Sequence, residues 1–325
     1  MHSIAAKRLI SAVLALVITS FTLWWLLHDG AGQALLAALW KADFRFLALA
    51  ACLAILIQMI RAWRFAILAN GKATLPSWIM IGIATRLILL NFMLPFKLGE
   101  LGFPVMMKRS FGTPFAEGAG ILILSRLLDF SVVTAILLLT GAYLLTPPVI
   151  GWSRELVACM GIAILILPIL LIGWAADLRR LARPWPRIER LTEKMSVGAL
   201  MARPAVLRSL VFGLTCLIWS IHALIAFLTA ASIQAGIGFL PLAMASAASN
   251  LAFALPISGI AGLGPPQAAW ASVLNLSDVG WTSAITTALL CHGLLLITIS
   301  TWGVLGYLQA AIRPKNYSSL DKRHP

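Results

Sequence analysis

Long apolar stretches, each almost free of charge, alternate with short polar stretches along nearly the whole chain. Lys7 and Arg8 precede the first stretch, residues 9–27, whose 19 residues exceed the roughly 7 to 15 of a signal-peptide core. Because about 20 apolar residues span the hydrocarbon core of a bilayer, such stretches predict membrane-spanning helices, the first with its N-terminus inside. The later apolar stretches are residues 44–60, 78–94, 116–145, 156–174, 206–231, 240–255 and 281–308.

Two loops between these stretches are basic, and short basic loops of membrane proteins collect on the cytoplasmic side. They are residues 61–77, which include Arg61 and Arg64, and residues 175–205. Three apolar stretches separate the two loops, and three crossings would put the loops on opposite sides of the membrane. One stretch must therefore enter the membrane and return on the same side.

Residues 78–107 are the best candidate for this returning segment. Pro95 and Gly99 interrupt its second half and Pro104 lies just beyond them, and both residue types disfavour a continuous helix. A matching interruption with the sequence PISGIAGLGPP occupies residues 256–266 in the second half of the chain. The pattern therefore predicts an all-α polytopic membrane protein with about six full transmembrane helices and two broken re-entrant hairpins.

The same order of elements occurs twice, in residues 1–145 and again in residues 156–312. Because each unit contains three net crossings, the second unit would lie upside down relative to the first, which is the inverted-repeat plan of many secondary transporters. We expect a single integral membrane domain, residues 1–312, followed by a polar cytoplasmic tail, residues 313–325. Both termini would then lie on the cytoplasmic side of the inner (plasma) membrane.

The composition agrees with a membrane protein and excludes several other classes. Of the 325 residues, 61% belong to the set AVILMFWYC and 11% are charged, and the mean hydropathy is +0.95. Soluble domains carry about 25% charged residues, so a soluble enzyme, a disordered chain and a collagen are excluded. The net charge of +14 is explained by basic cytoplasmic loops, so no nucleic-acid partner is expected. The four cysteines stand singly in apolar stretches, which indicates neither a disulfide framework nor a zinc site, and we expect no metal or other cofactor.

Five charged residues lie within the apolar stretches or the first hairpin, where a charge costs roughly 2.5 to 3.5 kcal/mol even on insertion scales. They are Arg86, Lys97, Glu100, Arg126 and Asp129. Arg126 and Asp129 are spaced i, i+3 and can pair on one helical face. With that pair neutral, the other three leave an excess of positive charge, which suits an anionic group such as a lipid phosphate.

Most of these charges also have a purely structural interpretation. Arg126 with Asp129 can be a buried pair, Lys97 can extend to the membrane surface, and Glu100 can neutralise Lys97. Arg86 differs because its own apolar stretch contains no acidic residue. We therefore expect Arg86 to bind the head group of a substrate.

The second interruption carries no charge of its own. Ser258 and Gln267 are candidate substrate-binding residues there, because the ends of broken helices also offer free N–H and C=O groups to a ligand. A tight turn between two short helices is the structural alternative. Ser258 before Gly259, with His292 in a later stretch, is similar to the serine and histidine of intramembrane serine hydrolases, although Pro256 replaces the first glycine of that motif. A histidine alone in an apolar stretch is more often a core residue.

Two segments resemble a known family of membrane proteins. The sequences LPFKLGELGFPVMMKRSFGTPFAEGAGILILSRLLDF and ALPISGIAGLGPPQAAW are similar to the transmembrane region of lysylphosphatidylglycerol synthases and to related flippase-like proteins. The matching positions are GE at 99–100, KR at 108–109 and SRLLD at 125–129. Gly102 and Phe103 stand where many members carry an arginine, and Gln267 stands where many carry a glutamate.

The resemblance implies a protein that handles lipids. Because the lysyl transfer of the family takes place in a separate soluble domain, we expect no aminoacylation by this chain alone. We expect a flippase-like transporter of an anionic phospholipid or glycolipid, or alternatively a non-catalytic partner that presents the lipid to a separate glycosyltransferase or synthase. An intramembrane serine hydrolase is a minor alternative. No nucleotide-binding loop is present, so transport would be downhill or ion-coupled, with Glu100 and Asp129 as the carboxylates available to carry a proton.

Overall fold

A computed structural model describes residues 30–70, 75–145, 152–173, 205–255 and 260–312, together with Val17, Ser20 and Trp24. Within these ranges all regular secondary structure is helical, which confirms the predicted all-α class. The helices are α1 (Ala31–Lys41), α2 (Phe44–Asn70), α3 (Trp78–Met93), α4 (Gly102–Phe111), α5 (Phe115–Leu144), α6 (Arg154–Gly173), α7 (Ala205–Ser232), α8 (Phe239–Ala254), α9 (Pro265–Asn275) and α10 (Trp281–Ile312). Most of the predicted first helix and the whole predicted tail lie outside the described residues.

Helix length separates two kinds of apolar helix. Among the described residues, four helices are long and apolar enough to cross a membrane, namely α2, α5, α7 and α10. Helices α3 and α8 are also apolar but have 16 residues each, a length of about 24 Å at 1.5 Å per residue. Because the hydrocarbon core is about 30 Å thick, these two helices are too short to cross it upright. Such lengths are what the first arms of the two predicted hairpins require.

Proline and glycine shape the first break, which we define as Pro95–Leu101. Leu94 is extended, with φ −97° and ψ 130°, because a residue before proline disfavours the helical conformation. Pro95 then begins a 3₁₀ segment that leads directly into α4. At Gly99 an added Cβ would lie 2.5 Å from the carbonyl carbon of Leu90, so the break folds back onto the end of α3 and leaves room only for glycine.

The second break, residues 255–264, separates α8 from α9 and contains a short 3₁₀ turn at Ile260–Gly262. Helix α9 begins with two prolines, and Gln267 Oε1 accepts a hydrogen bond of 2.8 Å from the N–H of Gly264. The two breaks also contact each other. Both interruptions of the helical pattern therefore lie where the sequence predicted them.

The prediction of a basic loop at residues 61–77 is wrong for residues 61–70. Helix α2 continues to Asn70, so Arg61 and Arg64 lie within the helix and are buried, with 8% and 1% of their surface exposed. Both charges have polar partners on other helices, which the local sequence does not reveal. The short helix α1 was also missed. The orientation in the membrane, which relied partly on this loop, stays a prediction.

The long helices pack in antiparallel pairs. Helix α2 lies along α7, where the N–H of Asp43 donates to the carbonyl of Ser232 at 2.8 Å. Helix α3 lies along α10, where Nε2 of Gln309 donates to the carbonyl of Trp78 at 3.0 Å. Helix α8 lies along α5, and α6 also packs against α5.

This packing is reciprocal between the two halves of the chain. If α2, α3, α4 and α5 correspond to α7, α8, α9 and α10, the contact of α3 with α10 corresponds to that of α8 with α5. The contact of α2 with α7 then corresponds to itself. Such a pattern is what an inverted repeat requires, and the repeat itself stays a prediction.

Candidate functional site

A cavity of about 560 Å³ lies between the first break and helices α2, α3, α5, α7, α8, α9 and α10. Much of its wall is apolar or aromatic, with Phe92, Trp219 and Trp270 among the lining residues. The wall also contains most of the residues that the sequence singled out, namely Lys97, Glu100, Arg126, Asp129 and Gln267. The fold thus brings together polar side chains from both halves of the chain.

A deeply buried charge pair joins Arg64 of α2 to Asp129 of α5. The two guanidinium nitrogens Nη1 and Nη2 of Arg64 donate to Oδ1 and Oδ2 of Asp129 at 2.6 and 3.0 Å. The Arg64 Nη1 also donates to Thr215 Oγ1 at 2.9 Å, and the indole N–H of Trp219 donates to Asp129 Oδ1 at 3.0 Å. These bonds connect α2, α5 and α7, so the carboxylate serves as a structural junction of three helices.

Arg126 and Asp129 form the ion pair that their i, i+3 spacing allows, but each has a closer partner. The Nη1 of Arg126 lies 3.6 Å from Asp129 Oδ2, whereas its Nε donates to Glu100 Oε1 at 2.8 Å. The reason is tertiary, because the first break brings Glu100 against α5. The side chains of Arg126 and Glu100 are 28% and 30% exposed, against 1% and 6% for Arg64 and Asp129. The pair of Arg126 and Glu100 is therefore much more accessible than the pair of Arg64 and Asp129.

Lys97 connects the first break to the second half of the chain. Its ammonium nitrogen lies 3.1 Å from the centroid of the Phe253 ring on α8, in a cation–π contact. Phe253 also packs against Phe92, with ring centroids 5.0 Å apart. The backbone of Lys97 has φ 56°, a left-handed conformation that costs a non-glycine residue about 1 to 2 kcal/mol. The contact with Phe253 is one interaction that compensates for this strain.

Arg61 and Arg64 are the charged site residues that sequence reasoning missed. Arg61 Nη2 lies 3.2 Å from His222 Nε2, and the His222 ring stacks on Trp219 with centroids 4.9 Å apart. The Nε of Arg61 has no hydrogen-bond partner among the described residues. A signal for both arginines was present, since the apolar sequence FAILA at residues 65–69 continues the helical pattern beyond them.

The structure does not bring Arg86 together with the other predicted site residues. Its Nε donates to the carbonyl of Gly82 at 2.9 Å, one turn earlier on α3. Its guanidinium carbon lies 5.8 Å from the ring centroid of Tyr307 on α10. Arg86 thus lies at the interface of α3 and α10, and it is not among the residues that line the cavity.

Gln267, in the first turn of α9 just after the second break, lines the cavity, and its amide oxygen accepts the N–H of Gly264. His292 lines the same region, with Nε2 at 2.9 Å from the carbonyl oxygen of Ala261. Ser258 lies outside the described residues, so the pairing of Ser258 with His292 that a hydrolase needs is not tested. Among the described residues, no group of three His, Cys, Asp or Glu side chains is placed to hold a metal ion.

The charges around the cavity do not cancel. In the described part of the chain, three basic side chains line the cavity, Arg61, Lys97 and Arg126, against two carboxylates, Glu100 and Asp129. Arg64 does not line the cavity, but it already pairs with Asp129 from behind the wall. Arg126 lies close enough to both Arg61 and Lys97 to repel them electrostatically. A bound anion would relieve this repulsion, which is strong where little water screens it.

Long apolar helices that enclose a positively biased cavity define a polytopic membrane domain. The chain belongs to the family of the lysylphosphatidylglycerol synthase TM region, whose model matches residues 12–303. The match includes both breaks and all the charged residues of the cavity wall, and it confirms the resemblance seen in the two motifs. No curated protein sequence matches the chain.

Proposed function

We propose that the protein binds lipids with an anionic head group and moves them across the membrane as a flippase-like transporter, with the head group held in this cavity. The observation that carries the proposal is the cluster of Arg61, Lys97 and Arg126 on an otherwise largely apolar wall. Charge at membrane depth is costly unless it is paired, and an anion neutralises such a cluster. An anionic phospholipid or glycolipid supplies the anion at the required depth.

The shape of the cavity supports a lipid as the source of that anion. Its volume of about 560 Å³ lies within the roughly 300 to 1,000 Å³ of small-molecule sites, enough for a head group. On α5, the lining residues Ile123, Leu127 and Phe130 are 46%, 59% and 45% exposed. The cavity therefore opens along an apolar helix face, where the acyl chains can stay in the bilayer.

The three cations of the cluster are held in different ways. Arg126 donates a hydrogen bond to Glu100, and Lys97 makes a cation–π contact with the ring of Phe253. Arg61 has a buried Nε without a hydrogen-bond partner among the described residues, so it has donor capacity to spare for a phosphate or carboxylate. The head-group role that the sequence suggested for Arg86 passes to Arg61 in this proposal.

Transport requires the cavity to open alternately to the two sides of the membrane. The two breaks interrupt the helix pairs α3–α4 and α8–α9 beside the cavity, and Lys97 and Phe253 connect the two halves there. We infer that the two hairpins rock against each other, as in transporters built from inverted repeats. Asp129 is occupied by Arg64, which leaves it a structural role in this mechanism.

Substitution of Arg61 tests the head-group site, and Arg86→Gln is the matched control because it removes the same charge outside the cavity. We expect Arg61→Gln to weaken binding of an anionic phospholipid about ten- to a hundredfold, the worth of a hydrogen bond to a charged group. Arg61→Lys should recover only part of the loss, because lysine lacks the planar fork of arginine. Arg86→Gln should bind like the wild type. The measurements are equilibrium binding in detergent and leaflet exchange in proteoliposomes, with a melting curve for each variant.

Two outcomes would revise the proposal. Wild-type binding and transport by a folded Arg61→Gln variant would contradict the head-group site. Specific binding without any leaflet exchange by the wild-type protein would instead support a partner that presents the lipid to a separate enzyme.

A further inference from the structure

The two carboxylates of the cavity differ in how much freedom their partners leave them. Asp129 is enclosed by Arg64, Thr215 and Trp219 and is nearly inaccessible. Glu100 has Arg126 Nε as its hydrogen-bond donor at 2.8 Å, and about 30% of its side chain is exposed beside the cavity. A ligand can therefore reach the pair of Glu100 and Arg126 without disrupting the packing between helices.

The contact of Glu100 with Arg126 has the same chemistry as a contact between a lipid phosphate and Arg126. In both cases an anionic oxygen accepts a charge-assisted hydrogen bond from the guanidinium group. Arg126 also lies near enough to Arg61 and Lys97 to repel them electrostatically, and all three line the cavity. An anion that bridges the three cations must compete with Glu100 for Arg126.

Glu100 is carried by the first break, a short segment between α3 and α4. The first break is a 3₁₀ segment with a left-handed residue at Lys97, and it reaches α5 through the bond from Arg126 to Glu100. On the other side Gly99 packs on the end of α3. Release of Glu100 would therefore remove this hydrogen bond to α5, while the break stays packed on α3.

We propose that Glu100 occupies the anion position of the cavity in the empty protein, and that the anionic group of the lipid displaces it from Arg126. This inference rests on the proposed function and adds a specificity-determining residue to it. A head group whose phosphate is balanced by its own cation, as in phosphatidylcholine, competes with Glu100 less well than a head group with a net negative charge, so the carboxylate selects anionic lipids. Displacement also removes a hydrogen bond between the first break and α5, and in this way it couples binding to movement of the first hairpin.

The test compares Glu100→Gln with the wild-type full chain in detergent, titrated with short-chain phosphatidylglycerol and, as the zwitterionic probe, with short-chain phosphatidylcholine. Because the competing carboxylate is gone, Glu100→Gln should bind phosphatidylglycerol about three- to tenfold more tightly and phosphatidylcholine as weakly as the wild type. Glu117→Gln is the matched control, since Glu117 lies in the first turn of α5 and does not line the cavity. It should bind both probes like the wild type.

A second variant shows whether the effect passes through Arg126. In the background Arg126→Gln, the substitution Glu100→Gln should give no gain in affinity, because nothing remains for Glu100 to compete for. Glu100→Ala should show the same gain as Glu100→Gln and serves if the amide alters folding. A gain that persists without Arg126, or one shared by Glu117→Gln, would reduce the effect to general electrostatics and overturn the inference.

The remaining outcomes are also decisive. Weaker or unchanged phosphatidylglycerol binding by a folded Glu100→Gln would overturn the inference and leave the proposed function intact. Failure of both Glu100 variants to fold would overturn it as well, because a carboxylate that the lipid displaces cannot be essential for folding. Equal binding of both probes by the wild type, unaffected by Arg61→Gln, would instead contradict the proposed function itself.

Discussion

At the scale of single residues, the buried charges are satisfied between helices more than along one helix. The fork of Arg64 reaches both oxygens of Asp129, and the indole N–H of Trp219 adds a third short bond. Arg126, on the same helix as Asp129, approaches it only to 3.6 Å. Residues three positions apart share a helical face, but the shorter bond of Arg126 goes to Glu100, and Arg64 on the facing helix presents both guanidinium nitrogens to Asp129. Asp129 therefore depends on α2 and α7 rather than on its own helix.

This dependence can be measured by comparing Asp129→Asn with Arg126→Gln. Asp129→Asn leaves Arg64 buried and without its counter-charge, which costs about 3 to 5 kcal/mol, so we expect a much lower melting temperature. Arg126→Gln removes a partly exposed pair worth about 1 kcal/mol or less and leaves the Arg64 bonds in place, so its melting temperature should fall only slightly. The measurement is thermal unfolding in detergent, monitored by the loss of the monodisperse peak in size-exclusion chromatography. Equal loss of stability in both variants would show that Asp129 relies on Arg126 after all.

At the scale of elements, the short helix α3 is held by close contact with α10. At Gly303 an added Cβ would lie 2.5 Å from Leu89 Cβ, and at Gly306 it would lie 2.7 Å from Thr85 Oγ1. Small residues let helix backbones approach closely in membranes, where packing replaces much of the hydrophobic driving force. The first arm of the first hairpin is therefore anchored to a helix of the other half.

Gly303→Ala should disrupt this anchor. The added methyl group has no space against Leu89, and overpacking of this kind costs about 1 to 3 kcal/mol. Gly293→Ala is the matched control on the same helix, because an added Cβ at Gly293 meets nothing within 4 Å. Melting curves of the two variants should differ clearly, with Gly293→Ala close to the wild type. If both variants melt like the wild type, α3 and α10 are not closely packed at Gly303.

At the scale of the whole molecule, the two halves interlock instead of lying side by side. Helix α3 of the first half packs on α10 of the second, and α8 of the second half packs on α5 of the first. The bond from Gln309 to Trp78 brings the start of α3 and the end of α10 to the same end of the molecule. If the first hairpin is re-entrant and the start of α3 lies on the cytoplasmic side, as the sequence predicts, the α4–α5 connection is also cytoplasmic and the α9–α10 connection lies outside.

Cysteine labelling tests this topology in a chain whose own four cysteines are replaced. Thr113→Cys, between α4 and α5, should be protected from a membrane-impermeant thiol reagent in intact cells and become labelled after permeabilisation. Ser277→Cys, between α9 and α10, should be labelled in intact cells. A permeant reagent should label both positions and shows that each is accessible. Labelling of Thr113→Cys from outside would contradict the re-entrant hairpin.

The sequence by itself determined the class of the protein, the positions of most helices and the two breaks. Helix α3 was predicted at residues 78–94 and is Trp78–Met93, and α8 was predicted at residues 240–255 and is Phe239–Ala254. These features are local, because a bilayer requires long apolar helices, and proline ends a helix through its own ring and missing N–H. The family was likewise visible in the GE and SRLLD motifs, and its model confirms it.

Only the tertiary structure decided which charges belong to the cavity and which partners they have. Arg61 and Arg64 were predicted in a loop, because no nearby residue in the sequence indicates a partner for a buried arginine. Their partners, His222 and Asp129, lie 161 and 65 positions away in the chain. Arg86 looked like a site residue because of its depth in an apolar stretch, but depth does not tell which side of a helix faces a cavity. A charge inside a membrane requires a partner, so the sequence shows that each of these charges is paired. It does not show with which residue, because the pairs form only when distant helices pack against each other.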